Sequence, residues 1–420
     1  MWIPLVVVVV RAVGSASCIG GAVRAHTGGV YDLEDDFTSA QIERARSRKR
    51  DALPLRYCGV VTDLVVPCLL GFTPLGAGLM RAAGRIGGGG WVATAALGSV
   101  AVYLVLIVVG LPLSVLGERL NRRWGLSTRS WRLFAADLVK GVGIGMVLIV
   151  GVAIGLFALI RGNPDTWWAW GAPAAAALVF VASFLMPVLI EPVFNKFKPM
   201  AEGPLRDRLL ELVGQSELTV RDILVSDGSR RTTAANAYVS GFGRTRRVVV
   251  WDTTVEQFET EEVAAIAAHE LGHAAKRDVL VGTAVGAIGA AVSVALLGLI
   301  LRWAPLLDAA GIKTVADPRS LPLLFALTTV GGAVAGPAGL AFSRRIEARA
   351  DGYALDLVRD PETIVVMERR LATSNLADLE PNPLTVVLFA SHPPIRARIA
   401  HARQWAAEHG MPVPGPVGSQ

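Results

Sequence analysis

The chain has 420 residues, 52% of them hydrophobic and only 18% charged, with a net charge of +6 and a mean hydropathy of +0.48. A soluble domain of this length carries nearer a quarter charged residues. The basic residues gather in short loops between apolar runs instead of forming one face, which argues against nucleic acid as a partner and for membrane topology. The expected fold class is mainly α: a polytopic membrane protein with at least one polar domain.

At a requirement of about 20 apolar residues per crossing, seven spans are expected, at 2–23, 55–80, 91–116, 138–160, 166–190, 279–302 and 321–342. The first apolar run has no basic segment before it and is followed by Arg11, which suits a signal-anchor with its N-terminus outside. Cys18, Cys58 and Cys68 all fall in apolar segments, form no CxxC pair, and read as small buried hydrophobes. Trp91, Trp167, Trp168 and Trp303 stand at span ends, where indole rings favour the interface. GGGG at 87–90 reads as a flexible turn before a span.

Loop charge sets the expected orientation. Arg44, Arg46, Arg48, Lys49 and Arg50 lie in 24–54, and Arg119, Arg122, Arg123, Arg129 and Arg132 in 117–137. The alternate loops carry only Arg81 with Arg85, and Arg161. The positive-inside rule then places 24–54, 117–137, 191–278 and the C-terminal region in the cytoplasm. The expected organisation is spans one to five over 1–190, a cytosolic region over 191–278, a transmembrane hairpin over 279–342, a second cytosolic region over 343–410 and a loose tail over 411–420.

In the polar region, ILVSD (223–227) and RVVVWD (247–252) are β-branched runs with the glycine-bearing stretch YVSGFGRT between them, which predicts a short hairpin or small sheet edge. Thr260 is the expected cap of a helix whose first turn carries Glu261 and Glu262. That helix holds His269-Glu270-Leu271-Gly272-His273, the pattern HExxH. Positions i and i+4 share a helix face, so both imidazoles can reach one ion, while Glu270 projects beside that face and can take a proton from an activated water. The bland alternative is two surface histidines on a solvated turn, but the chain has only six histidines and the neighbours Ala267, Ala268 and Ala274 are small and uncharged.

A catalytic zinc site keeps three protein ligands and one open position. The hairpin leaving at Asp278 returns to the same side of the membrane at Ser343, directly before SRRIEARAD. Glu347 and Asp351 share a helix face there; Glu347 is the expected third ligand, and Asp351 would orient one ligand imidazole through its other nitrogen. An ordinary salt-bridged helix, with Arg344, Arg345 and Arg349 adjacent, is the competing reading. His392, in SHPPIRARI, could donate to a developing oxyanion or could be structural. His26, His401 and His409 have no partners at metal spacing.

HELGH, SRRIEARAD and SHPPIRAR together resemble the catalytic motifs of the Ste24-type integral-membrane zinc metalloproteases, the CAAX prenyl proteases of peptidase family M48. IEPVFNKFKPMAEGPL (190–205), GSRRTTAANAYVSGFGRTRRVVVWDT (228–253) and LPLSVLGERLNRRWGLST (111–128) resemble its further segments, so the likeness covers about residues 100–405. The resemblance implies a ring of seven tilted helices around an intramembrane chamber, with a zincin-like domain closing its cytosolic end. It implies one zinc ion per chain, ligated by His269, His273 and Glu347, with Glu270 as general base. It further implies that Asn236 holds substrate backbone, that His392 lies near the scissile bond, and that Arg398 stands beside the site. The short loop before the HExxH helix, the C-terminal PVGSQ without an ER-retrieval signal, and the Ala/Gly/Val/Arg-rich composition suggest a bacterial member.

The expected activity is hydrolysis of peptide bonds in membrane-associated or prenylated proteins. Quality-control cleavage of damaged membrane proteins is the alternative within that class. A zinc transporter would place ionisable residues within its spans; only Asp63 and Asp137, near span ends, approach this. A catalytically dead scaffold would need a lost ligand.

Overall fold

The computed structural model describes residues 31–417. The expected first span, 2–23, and Cys18 lie outside these residues. In chain order the elements are α1 (Leu33–Asp36), α2 (Ser39–Gly71), α3 (Pro74–Ile86), α4 (Trp91–Arg123), α5 (Trp131–Gly162), α6 (Trp167–Leu185, continued by a π-helical turn Met186–Ile190) and α7 (Glu191–Phe194). Then come β1 (Phe197–Pro199), α8 (Pro204–Gln215), β2 (Asp222–Ser226), β3 (Ala237–Ser240), β4 (Arg247–Trp251), α9 (Asp252–Gln257) and α10 (Thr260–Ala275). The chain closes with α11 (Asp278–Ile300), α12 (Ala304–Ala309), α13 (Leu321–Val358), α14 (Pro361–Ser374), α15 (Pro383–Phe389) and α16 (Ile395–Glu408).

Among the described residues six helices are long and apolar enough to cross a membrane: Ser39–Gly71, Trp91–Arg123, Trp131–Gly162, Trp167–Phe194, Asp278–Ile300 and Pro318–Val358. The protein is a multi-pass membrane protein. The segment expected as a loop up to residue 54 is instead mostly the polar first half of α2, capped by Thr38, whose hydroxyl accepts from Gln41 N–H. The span expected over 55–80 breaks at Phe72–Thr73, where Pro74 begins α3. Cys58 is exposed and Cys68 half-buried, so the reading of both as core residues is corrected: they sit on a span whose outer face needs no protein cover. α13 has 38 residues, about 57 Å at 1.5 Å per residue, far more than the ~30 Å hydrocarbon core. Its C-terminal third therefore continues out of the membrane layer.

Among the described residues two large hydrophobic cores divide the molecule. One, with Met80, Phe157, Ile160 and Leu323, lies among the membrane helices, and the other surrounds α10. The second includes Ile223, Val248 and Val250 from the sheet, Ala264, Ala268 and Leu271 from α10, and Leu33 and Phe37 from the N-terminal segment. Asp36 is buried there and accepts from Arg369 and Arg403. The expected loose tail is corrected over its described part. Arg403 donates to Pro414 O, Arg369 to Gly415 O, and Val417 N–H to Asp35 O.

The sheet has four strands in the order β1-β2-β4-β3. The two β-branched runs are not the two arms of one hairpin: β2 and β4 lie parallel, with Ile223 opposite Val248 and Leu224 opposite Val249. The hairpin is β3–β4, with Tyr238 opposite Val249. Its turn depends on Gly241, at φ 85°, where a Cβ would stand 2.5 Å from Thr245 O. Tyr238 hydroxyl donates to Glu191, tying the hairpin to the end of the Trp167–Phe194 span.

Candidate metal centre and active site

α10 is buried on nearly every side, from Glu262 to Gly272, as a helix running through a core must be. Its cap is Glu259 and not the expected Thr260: Glu259 N–H donates to Glu262 Oε2 at 2.8 Å, and Arg370 neutralises Glu262 at 2.5 Å. At the other end Lys276 terminates the helix and Arg277 takes a left-handed conformation, φ 57°. That residue turns the chain directly into α11, so only two residues separate the HExxH helix from a membrane span. Gly272 lets α13 approach, for a Cβ there would lie 3.1–3.3 Å from Tyr353 Cδ1, Cβ and Cγ. Tyr353 shares α13 with Glu347 and Asp351, so this close crossing sets how near those carboxylates come to the histidines.

The rings of His269 and His273 stand at 87° with centroids 4.8 Å apart. Their Nε2 atoms are 3.1 Å apart and lie 3.2 and 3.7 Å from Glu347 Oε2. Two donors each ~2.1 Å from one tetrahedral ion stand about 3.4 Å apart, a value that these three separations bracket. Glu347 Oε2 is buried yet has no aligned hydrogen-bond partner. Two imidazoles with one such carboxylate oxygen form a donor set that suits zinc; the three residues fit a metal ion.

Behind each imidazole stands a carboxylate. Asp278 Oδ2 is 2.9 Å from His273 Nδ1, and Asp278 is itself paired with Arg349. Asp351 Oδ1 is 2.9 Å from His269 Nδ1, off the direction of the ring nitrogen's hydrogen-bonding axis, so this is a close polar contact and not an aligned bond. Asp351 is held by Arg398, whose Nε donates to Oδ2 at 2.9 Å and whose Nη2 donates to Oδ1. Arg398 also lies 2.8 Å from Glu368. Burial works against the Arg398 charge, but Asp351 and Glu368 outweigh it and keep the guanidinium protonated. A physical part for Arg398, absent from its sequence context, emerges here: it fixes the carboxylate behind His269.

Glu270 is directed into the same region, and burial pushes its carboxyl above the ordinary range although both histidines pull it back. His392 reaches the cluster from the segment before α16: its Nε2 is 2.9 Å from Glu347 Oε2, and its Nδ1 shares a hydrogen with Ser391 Oγ at 2.9 Å. Asn236 precedes β3, the strand that packs against α10. Its N–H donates to Thr254 Oγ1 at 2.7 Å, and its carbonyl accepts from Trp251 N–H and from Thr254. Among the described residues no hydrogen bond joins Asn236 to the histidine cluster. Asp278 and Glu368 were missed in the sequence. Asp278 stands five residues after His273 in KRD, where it reads as an interface marker, and Glu368 gives no local signal.

The sequence matches two family models: "CAAX prenyl protease N-terminal, five membrane helices" over residues 23–196 and "Peptidase family M48" over residues 199–406. It is 29% identical over 313 residues to the uncharacterized metalloprotease YhfN of Bacillus subtilis, covering 72% of this chain and 71% of that protein. It is 30% identical over 292 residues to the CAAX prenyl protease 1 homolog of Arabidopsis thaliana, covering 67% and 66%. The fold matches the crystal structure of S. mikatae Ste24p with a TM-score of 0.78 at 21% identity, over 90% of this chain and 92% of that one. With the two models together spanning nearly the whole sequence, the chain belongs to peptidase family M48, as a multi-pass membrane metalloprotease of the CAAX prenyl protease type.

Proposed function

We propose that this protein is a zinc endopeptidase acting on membrane-associated, CAAX-type protein substrates, with its catalytic centre at the cytoplasmic face. The observation that carries the reading is the convergence of His269 Nε2, His273 Nε2 and Glu347 Oε2, 3.1 to 3.7 Å apart, with the histidines on a helix that ends two residues before a membrane span. In this reading His269, His273 and Glu347 hold one zinc ion, and Asp351 and Asp278 orient the two imidazoles through their Nδ1 atoms. A zinc ion held there supplies a Lewis acid and lowers the pKa of water toward ~7.

Glu270 takes the proton of the attacking water on its carboxylate and passes it to the leaving amine. A carboxyl raised above its ordinary value lies nearer the operating pH, which favours both transfers. His392, donating from Nε2, stabilises the oxyanion that develops on the scissile carbonyl. Asn236, at the start of edge strand β3, holds the substrate backbone beside α10. The basic segments 117–137, around the loop between α4 and α5, and 343–349, within α13, support the cytoplasmic placement, and the relatives named as CAAX prenyl proteases support the substrate class.

Cleavage mapping on the purified full-length chain tests this, using a farnesylated CAAX peptide, its unmodified counterpart and a misfolded membrane protein, each with and without chelator. Cleavage should stop on metal removal, return with zinc, and favour the farnesylated peptide. Equal or faster cleavage of the misfolded protein alone would replace CAAX processing with quality control. Undiminished activity after complete metal removal would remove the zinc mechanism.

A further inference from the structure

The basic residues of the sparsely charged loops have no part in the chemistry above, yet they meet in one place. Arg81 and Arg85 lie on α3, Arg161 ends α5, and Arg319 follows α12. Together they line a cavity of about 500 Å³ with Asp317 and Trp91. This cavity is at the end of the helix bundle opposite the histidine cluster. α4 and α5 run from it, at Trp91 and Arg161, to the loop 124–130, where Thr128 bonds Ser229 of the protease region. α11 runs from Asp278, beside His273, to Ile300 on the cavity's side.

The cavity's charges do not balance. Asp317 is committed to Arg319, whose Nε donates to it at 2.8 Å. Arg81 feels Asp317 only beyond ion-pair distance. Arg161 sits over the Trp91 ring, 5.4 Å from its centroid. Among the described residues Arg81, Arg85 and Arg161 form no ion pair, although two separate helices bring them to one cavity. Gathering cations in this way costs free energy through mutual repulsion unless an anion joins them. α4 begins at the same place with a glycine N-cap, no side-chain cap and no acidic residue in its first turn, which adds donors of the same sign. Ile86 beside Arg85 is 86% exposed, and Val92 beside Trp91 is 45% exposed, so the rim is apolar where the bilayer would meet it.

We propose that this cavity binds a phosphate group, that of an anionic lipid headgroup or a free phosphate, at the membrane face opposite the catalytic centre. Guanidinium forks match phosphate oxygens in charge and geometry, and Trp91 at the interface sets the depth at which a headgroup would lie.

The test is native mass spectrometry of the detergent-purified full-length chain with added phosphatidylglycerol or phosphatidylcholine, repeated with millimolar inorganic phosphate. The chain should retain phosphatidylglycerol at least about tenfold better than phosphatidylcholine. Combined Arg81→Gln, Arg85→Gln and Arg161→Gln should bring the preference close to one while leaving peptide cleavage unchanged. Arg302→Gln, exposed in the same region but outside the cavity, should leave the preference intact. Displacement of the lipid by inorganic phosphate identifies free phosphate as the ligand, and failure to displace identifies the lipid. If the triple variant cannot be purified, Arg161→Gln alone should cost roughly threefold. No preference in the wild type, with no phosphate bound, overturns the proposal; so does a preference that survives these substitutions.

Discussion

His273 Nδ1 lies 2.9 Å from Asp278 Oδ2, across a two-residue break that joins the HExxH helix to a membrane span. The first residue of the span thus fixes the orientation of a candidate ligand, so the candidate metal centre and the membrane helix are mechanically one unit. Asp278→Asn keeps the size but weakens the acceptor and the Arg349 pair. Zinc affinity, measured by chelator competition, should fall by about 10–100-fold with the helical content unchanged. An unaltered affinity would assign Asp278 to folding alone.

Gly272 sets the distance between α10 and α13 through its contact with Tyr353. Replacement by alanine gains helix propensity, up to ~1 kcal/mol, but sets a methyl 3.1–3.3 Å from three Tyr353 carbons. Because Glu347 and Asp351 ride on the same helix as Tyr353, a displacement of a few tenths of an ångström reaches the site. Gly272→Ala should lower the cleavage rate about tenfold or more while the melting temperature moves by only a few degrees. A variant with full activity would show that the crossing has room to spare.

Arg398 is enclosed by Asp351 and Glu368, both buried. Arg398→Met leaves the Asp351 carboxylate without its cation, and Glu368 as well once it ionises, a change that costs about 3–5 kcal/mol when a buried pair is broken. The melting temperature should drop sharply. Combining Arg398→Met with Glu368→Gln should recover part of the loss, and the absence of any recovery would contradict the proposed charge pairing.

Glu368 has its own pH signature. Burial pushes its carboxyl up from 4.5 to about 7, with Arg398 opposing the shift, and its Oε2 has no hydrogen-bond partner. The folded chain therefore keeps a proton there that the unfolded chain has released. Stability from this group is fully present below 4.5 and declines as pH rises from 4.5 toward 7. The melting temperature of Glu368→Gln, relative to wild type, should rise across that window. A constant difference from pH 4.5 to 8 would show that Glu368 ionises normally.

The histidine pair and its glutamate were legible because helical spacing alone puts i and i+4 on one face, and Glu347 because a hairpin must return to the side it left. Asp351 was readable by the same spacing argument. Asp278 was not, since the left-handed turn at Arg277 brings it back to His273 and nothing in KRD announces that turn. The parallel pairing of β2 with β4 was hidden for a related reason: a β-branched run reveals a strand, whereas partner choice depends on how residues 227–246 fold. Cys58 misled because an apolar segment in a bilayer has an outer face, so apolar surroundings in sequence do not imply burial in protein.

The central claim is that His269, His273 and Glu347 hold a zinc ion while Glu270 moves the proton. Glu270→Gln removes the base and leaves all three candidate ligands in place. Zinc content and cleavage of one peptide, measured on the same purified sample, should show about one zinc per chain and a rate reduced by at least ~10²-fold. A variant that keeps its zinc and still cleaves at the wild-type rate would contradict the account.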